Sequence, residues 1–296
     1  MPCYRPIKAF RAASGDVVFV ERGDIVASLW LPCGQCVGCR LERSRQWAMR
    51  CMHEASLHKS NCFITLTYRD DCLPANGSLV YRDFQLFMKR LRKSFPNSTI
   101  RFYMCGEYGE ELNRPHFHAC LFGFDFPDKV PIRLLTGSGA KLFKSKILER
   151  LWPYGYGSIG AVTFESAAYV ARYVMKKVTG DCAKDHYRTV DSDGVISSRT
   201  PEFNKMSLRP GIGAKWMDRY TSDVYPGGSV VVRGHESKPP RYYDKRFAKL
   251  DPLAYEAMIY GRHLDSLVHA DDQSDDRLRV REQVAQARIR SLKRSI

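Results

Sequence analysis

No stretch of this 296-residue chain approaches the roughly 18–20 consecutive apolar residues that a membrane-crossing helix needs. The first residues, Met1-Pro2-Cys3-Tyr4-Arg5, also lack the apolar run of a secretory signal, so the expected setting is a cytoplasm and no membrane. No internal repeat is present. Acidic residues are in short supply. Against 47 Lys+Arg there are only 32 Asp+Glu, leaving +15 at pH 7, a balance that favours a polyanionic partner, either nucleic acid or an acidic membrane surface. The hydrophobic fraction of 44% and aromatic fraction of 12% are ordinary for a globular protein, so disorder is not the expectation.

Ten cysteines would suggest disulfides in a secreted chain, but in a reducing compartment clustered cysteines more often hold metal. A cluster exists. Residues 33–39 read Cys-Gly-Gln-Cys-Val-Gly-Cys, a double C-x-x-C knuckle whose glycines let the backbone fold around one ion. Cys33, Cys36 and Cys39 are one ligand short of a closed tetrahedral zinc site, and Cys3 or Cys51 is the candidate fourth. The ferredoxin spacing needs another Cys at position 43, which is Arg, so an iron–sulfur cluster fits less well.

Periodicity predicts a helix over about Leu41–Leu57, with Leu41, Ala48, Cys51, Met52 and Ala55 inward and Arg40, Arg43 and Arg50 forming a surface suited to phosphate. Residues 62–68 alternate, Ile64, Leu66 and Tyr68 on one face and Phe63, Thr65 and Thr67 on the other, which predicts a strand. Helical spacing returns over 81–95 in Phe84, Phe87, Met88, Leu91 and Phe95. Strands are expected at Ile100–Glu107 and His116–Gly123, paired antiparallel, and at about Ser158–Phe164. Helices are expected near Lys144–Leu151 and Ser166–Val178. Residues 181–200 read as a polar surface loop, a short helix follows Gly213, and a strand surrounds Ser229–Arg233. The last 20 residues carry seven Lys/Arg and one Glu in a weakly helical pattern. The mixed order predicts an α+β fold, a mainly antiparallel central sheet flanked by helices. The segments divide as 1–58 with the Cys knuckle, a core over 59–180, an extension over 181–260, and a basic tail over 261–296.

Two constellations carry chemistry. In Arg114-Pro115-His116-Phe117-His118, strand alternation turns His116 and His118 to one face and Phe117 to the other. The hairpin reading brings Glu107 beside them. Two imidazoles and a carboxylate leave coordination positions open for water and phosphate oxygen, which suits Mg²⁺ or Mn²⁺ acting on a phosphodiester. Glu110 and Glu111 are substitutes from the loop. The second constellation is Tyr169-Val-Ala-Arg-Tyr173-Val-Met-Lys-Lys177. On a helix, Tyr169, Arg172, Tyr173, Lys176 and Lys177 share one face while Ala167, Val170, Ala171, Val174 and Val178 complete the apolar one. Arg172 and Lys177 supply positive charge beside a phenolate and a phosphate.

Together these segments resemble the HUH endonucleases, named for His-hydrophobic-His, and among them the two-tyrosine replication initiators. Phe63-Ile-Thr-Leu-Thr-Tyr68 looks like their first motif, Pro115-His-Phe-His118 like the metal motif, and Tyr169-x-x-x-Tyr173 like the nucleophile motif, in the family's order. Cys33–Cys39, Gly106-Glu-Tyr-Gly109, Met206-Ser-Leu-Arg-Pro-Gly-Ile-Gly213 and Pro239-Pro-Arg-Tyr-Tyr-Asp244 look like the initiators of gokushovirus-type microviruses, which are small single-stranded DNA phages. The resemblance covers most of 1–250. It implies His116 and His118 as metal ligands, Tyr169 and Tyr173 as nucleophiles, and rolling-circle nicking of single-stranded origin DNA in a bacterial host cytoplasm, with host helicase and polymerase as partners. The rivals are a non-enzymatic zinc-containing single-strand-binding protein, which would need no metal–phosphate centre, and an HUH transposase or plasmid relaxase.

Overall fold

The two-residue alternation of 62–68 and the helical spacing of 81–95 become a strand and a helix that meet in one apolar core. The computed structural model describes residues 3–109, 112–132, 141–172, 177–178, 180, 182–190 and 193–291. The chain opens with a three-stranded antiparallel sheet of β1 (Ile7–Ala12), β2 (Val17–Val18) and β3 (Ile25–Leu31), with β1 in the middle. Then come α1 (Val37–Ser56), β4 (Asn61–Tyr68), α2 (Tyr81–Ser94), β5 (Arg101–Tyr108), β6 (Pro115–Phe122) and the short β7 (Val130–Pro131) and β8 (Phe143–Lys144). They are followed by α3 (Lys146–Leu151), β9 (Gly155–Gly160), α4 (Phe164–Arg172), α5 (Cys182–Tyr187), β10 (Arg188–Val190), β11 (Ile196–Ser198) and β12 (Phe203–Met206). The chain ends with α6 (Ala214–Arg219), α7 (Thr221–Val224), β13 (Val230–Val232), β14 (His235–Ser237), α8 (Arg241–Leu250), α9 (Pro252–Leu267) and α10 (Asp275–Ser291). Packing divides it into two units, one drawn from Met1–Arg43 and Asp251–Arg294, the other from Ser44–Leu250.

The α+β class expected from the sequence is what forms. In the larger unit a seven-stranded sheet runs in the order β12-β5-β6-β4-β9-β8-β7, each neighbouring pair antiparallel. One face carries Ile64, Leu66 and Tyr68 with Phe117, Ala119 and Leu121, and it packs against Phe84, Phe87, Met88 and Leu91 of α2 and Leu148 and Leu151 of α3. Truncating either buried phenylalanine of α2 to Ala would cost about 3–5 kcal/mol. α3 begins where it does because the Ser145 hydroxyl accepts the Leu148 amide at 3.0 Å. The opposite face presents Phe63, Tyr103, Cys105, Cys120 and Phe122 to Ala48, Cys51 and Ala55 of α1 and to the small residues Ala167, Ala168, Val170 and Ala171 of α4.

Local expectations and structure part in four places. Residues 182–190 and 193–200 are not a plain loop: α5 and the hairpin β10–β11 occupy them, because Tyr187 is buried and its hydroxyl bonds Glu202 at 2.5 Å, anchoring an otherwise polar segment. β9 starts and stops earlier than expected, at Gly155–Gly160, set by its register with β4. Leu41 is exposed, and the inward position of that part of α1 is taken by Ser44, whose hydroxyl donates to the Ala168 carbonyl at 3.0 Å. The expected helix over 166–178 does not reach its last two residues, because the Val178 amide donates to the Tyr187 hydroxyl at 3.0 Å. β1–β3 and β12 had no clear signal, since their pairing partners lie far away in sequence or their strands are mostly exposed.

Candidate functional site

The site is built by strand register. β6 lies between β5 and β4, so His116 is directly flanked by Glu107 and Thr67, and His118 by Cys105 and Thr65. Residues opposite one another in an antiparallel ladder share a face. All six therefore project to the α1/α4 side of the sheet. Glu107 is 3% and His118 6% exposed, and a short bond joins them, Nε2 to Oε1 at 2.7 Å. The two imidazoles lie nearly parallel, 8° apart, with centroids 6.2 Å apart.

Outer partners orient both rings. His116 Nδ1 lies 2.5 Å from the Arg114 carbonyl, which can only accept, so Nδ1 is the donor and the ring is fixed from that side. His118 Nδ1 lies 2.9 Å from the Thr65 hydroxyl. Holding Nδ1 with a fixed oxygen is the usual way a metal-ligating histidine is aimed and made more basic. Two imidazoles and one buried carboxylate thus share this face, donor types that a divalent cation accepts, with His118 Nε2 and Glu107 Oε1 bonded to each other.

Tyr169 stands beside this set. Its ring meets His118 edge-on, centroids 5.2 Å apart and planes at 88°, and meets Phe63 at 6.5 Å and 81°. The placement follows from how α4 is tied down. At its start Thr163 and Ser166 exchange side-chain-to-amide bonds of 2.9 and 3.2 Å, in the manner of a capping box. Toward its end, the Ala168 carbonyl accepts from Ser44 at 3.0 Å and that of Val170 from Asn204 at 3.1 Å. Other tyrosines nearby are spent on structure. Tyr68 is buried on the opposite face and donates to Asp83 at 2.7 Å, and both burial and that carboxylate push its pKa upward. Tyr103 is fully buried, and burial followed by the neighbouring thiols Cys51, Cys105 and Cys120 opposes its ionisation.

Of the remaining expected residues, Arg172 is exposed in the last turn of α4. Lys177 is half-buried and outside any helix, so the shared-face argument does not extend to it. Tyr173, Lys176, Glu110 and Glu111 lie outside the described residues. Arg50 is not available to phosphate as expected: its guanidinium is sandwiched between the rings of Trp47 and Tyr242, 4.0 Å from each, and donates to the Ile212 carbonyl at 3.0 Å. Thr65 and the Arg114 carbonyl were missed. Alternation placed Thr65 on the correct face, but only the β4–β6 register shows that it meets His118.

The smaller unit holds a second cluster. The thiols of Cys3, Cys33, Cys36 and Cys39 all lie within 4.8 Å of one another and could hold a metal ion. Gly34, at φ +75°, supplies the left-handed bend that starts the knuckle. Backbone amides point at the sulfurs: Cys33 N–H to Cys3 at 3.3 Å, Cys36 N–H to Cys33 at 3.2 Å and Tyr4 N–H to Cys36 at 3.4 Å. Burial works against ionising Cys36, but hydrogen bonds from the Cys39 and Tyr4 amides and from the Cys39 and Cys33 thiols outweigh it and hold its pKa at about 7. Burial moves Cys3 and Cys39 upward. Of the two candidates for a fourth thiol, Cys3 joins the cluster. Cys51 is fully buried beside Cys120 in the larger unit.

Comparison with known proteins gives a consistent answer. Residues 61–178 match the family of replication-associated protein ORF2/G2P. The replication-associated protein VP4 of Bdellovibrio phage phiMH2K is 33% identical over 292 residues, covering 93% of this chain and 88% of that one. The replication-associated protein ORF2 of Spiroplasma virus 4 is 30% identical over 273 residues, 84% of this chain and 81% of the relative. The replication-associated protein ORF4 of Chlamydia phage 1 is 30% identical over 226 residues, 74% and 54% of the two chains. No solved structure matches.

Proposed function

The chain belongs to the replication-associated proteins of small phages, and we propose that it initiates rolling-circle replication by nicking one DNA strand at an origin and holding the cut end on a tyrosine. One observation carries the reading: Tyr169 lies edge-on against His118, which is itself bonded to Glu107. A single-strand-binding protein would need exposed aromatics and charge, but not a tyrosine set against an oriented His–Glu pair.

His116, His118 and Glu107 would hold Mg²⁺ or Mn²⁺, which supplies Lewis-acid polarisation of a phosphate oxygen. The Tyr169 oxygen attacks phosphorus, the bond to the 3′-oxygen breaks, and that oxygen leaves as a hydroxyl, taking up a proton equivalent to the one the phenol gives up. The product is a 5′-phosphotyrosine. One ester replaces another, so a later attack by a DNA 3′-hydroxyl rejoins the ends without outside energy. A phenol with a pKa near 10 is a weak nucleophile, and Arg172 and Lys177 are the side chains proposed to favour its phenolate. Tyr173, four residues further along the sequence, is the proposed second nucleophile, needed when a regenerated origin is cut while the first tyrosine still holds the old 5′ end. The exposed 3′ end is the substrate a host polymerase would extend after a helicase opens the duplex, which makes those host activities the proposed partners, in the host cytoplasm. Zn²⁺ is the ion proposed for the four thiols, in a structural role.

The test is incubation with single-stranded origin DNA and Mn²⁺, followed by denaturing electrophoresis. A covalent adduct is expected from the wild type and, at reduced level, from Tyr169→Phe and Tyr173→Phe separately, with none from the double variant. An adduct from the double variant would show that the nucleophile lies elsewhere.

A further inference from the structure

The sheet face that carries the His–Glu–Tyr set is covered unevenly. Over β5, β6 and the start of β4, helices α1 and α4 bury Tyr103, Cys105, Cys120, Phe122 and Phe63. Toward β9 and β8 the same face carries exposed side chains. Thr67 pairs with His116 on one side and with Tyr156 on the other, so His116, Thr67 and Tyr156 form a row across β6, β4 and β9. Two strand spacings separate the ends of the row, about 10 Å. Tyr156 is 69% exposed, a large aromatic on an inner strand of the central sheet.

Its neighbours explain how it is held. Gly155 and Gly157 alternate to the opposite face, where a Cβ on Gly155 would stand 2.2 Å from the Thr67 carbonyl oxygen and one on Gly157 2.7 Å from Leu148. Glycine at both places lets β9 lie close against β4 and α3, fixing the strand by its back while Tyr156 points outward. Ser158 shares the Tyr156 face and pairs with Thr65. On β8, Phe143 pairs with Ile159 and is turned to the core, so the next residue, exposed Lys144, is turned to the Tyr156 face. The result is a shelf of an exposed aromatic, small hydroxyl residues and a cation, running from the candidate centre in a protein of net charge +15.

We propose that Tyr156 is a base-stacking residue, seating one nucleotide of single-stranded DNA on the open part of the sheet beside His116, with Lys144 contacting the adjoining phosphate. The inference rests on the DNA-nicking reading above. Every base offers a π-face, so a ring held this way binds without sequence preference and requires an unpaired strand. A paired base in a duplex cannot reach it.

The experiment measures binding of the full chain to a fluorescein-labelled single-stranded oligonucleotide of about 30 nucleotides, and to its duplex, by anisotropy without added Mg²⁺ or Mn²⁺ so that no cleavage intervenes. Tyr156→Ala is expected to weaken single-strand binding by about 5- to 150-fold, the range of roughly 1–3 kcal/mol per stacked base, with duplex binding and melting temperature unchanged. Tyr156→Phe and Tyr156→Trp keep a ring and should stay within about twofold of the wild type. Lys144→Ala should lower the salt slope of binding by about one. A 5-iododeoxyuridine strand should photocrosslink to Tyr156 in the wild type. Normal single-strand affinity in Tyr156→Ala, or an equal loss in Tyr156→Phe, overturns the proposal. The adduct assay on the wild type separates the two readings: no adduct alongside a ring-dependent binding loss refutes nicking and leaves the stacking role standing. An adduct alongside normal binding by Tyr156→Ala refutes only the stacking role.

Discussion

The two polar clusters of this chain are assembled in opposite ways. Three of the four thiols come from the seven residues 33–39, and the fourth, Cys3, arrives from one more short segment. The His–Glu–Tyr set draws on β5, β6 and α4, with Thr65 of β4 holding one ring from outside. The first gathers four thiols of one kind, with backbone amides directed at three of the sulfurs, a set that would close a tetrahedral ion. The second mixes imidazole, carboxylate and phenol at the border between the helix-covered and exposed parts of a sheet face. In the roles proposed above, a cluster that only holds a fold can be local and saturated, whereas one that meets a phosphodiester needs rigid elements from several parts of the chain and coordination left open.

The largest effect expected on this contrast comes from the closed cluster. Structural zinc contributes on the order of 10–16 kcal/mol to small zinc-held folds, so Cys33→Ser should abolish stoichiometric zinc and leave the N-terminal segment open to proteolysis. Elemental analysis and limited proteolysis check this. Unchanged zinc content, or iron with visible absorbance, would refute the assignment.

Next in size is the open cluster. His116→Ala or His118→Ala should reduce cleavage by about 1,000-fold or more, since several kcal/mol of charge stabilisation go with the ion, while salt-sensitive DNA binding persists. If binding fell in step with cleavage, the histidines would be part of the DNA contact or of the fold instead. Acid supplies a calibration that belongs to neither cluster. His53 stacks on Trp216 with centroids 3.5 Å apart and bonds the Tyr243 hydroxyl at 3.0 Å, and burial lowers its pKa from 6.5 to about 4. Between those values the unfolded chain takes up a proton that the folded chain does not. Stability should therefore fall as pH drops through 6.5 toward about 4, by at most about 3 kcal/mol, with no further loss from this group below that. Denaturant melts of wild type and His53→Gln across the window would measure it, and identical pH slopes would remove His53 as the cause. The smallest change sharpens the comparison most. Thr65→Val removes the oxygen at 2.9 Å from His118 Nδ1 without touching a ligand, and should weaken the apparent Mn²⁺ affinity of cleavage by about 10- to 100-fold at little cost to the rate at saturating metal. An unchanged metal titration would mean the hydroxyl has no part in orienting the ring.

Much of this was legible without coordinates. Period-two alternation in 62–68 and 115–122 and helical spacing in 81–95 report burial directly, so the faces of β4, β6 and α2 followed from side-chain chemistry. The hairpin of β5 and β6 followed from adjacency in the chain, and with it the meeting of Glu107 and His116. The Cys knuckle was legible because three of its four thiols are close in sequence. Three features were not. Residues 182–190 and 193–200 look polar in sequence, yet Tyr187 bonding Glu202 and Val178, with Arg199 and Thr200 bonding Asn76 and Ser78, tie them back. Arg50 carries the same charge as Arg40 and Arg43 in the sequence, and only Trp47 and Tyr242 closing over it convert a phosphate-binding candidate into a packing residue. Tyr156, one of 16 tyrosines, has no local sign of standing in a row with His116. Side-chain order alone dictates which residues face apolar surroundings and which short runs can gather thiols, because those properties depend on neighbours within a few residues. Which strand lies beside which, and so which polar groups of distant segments share one exposed face, was decided by the tertiary structure, because strand order and register are set by long-range backbone pairing that leaves no local trace in the chain.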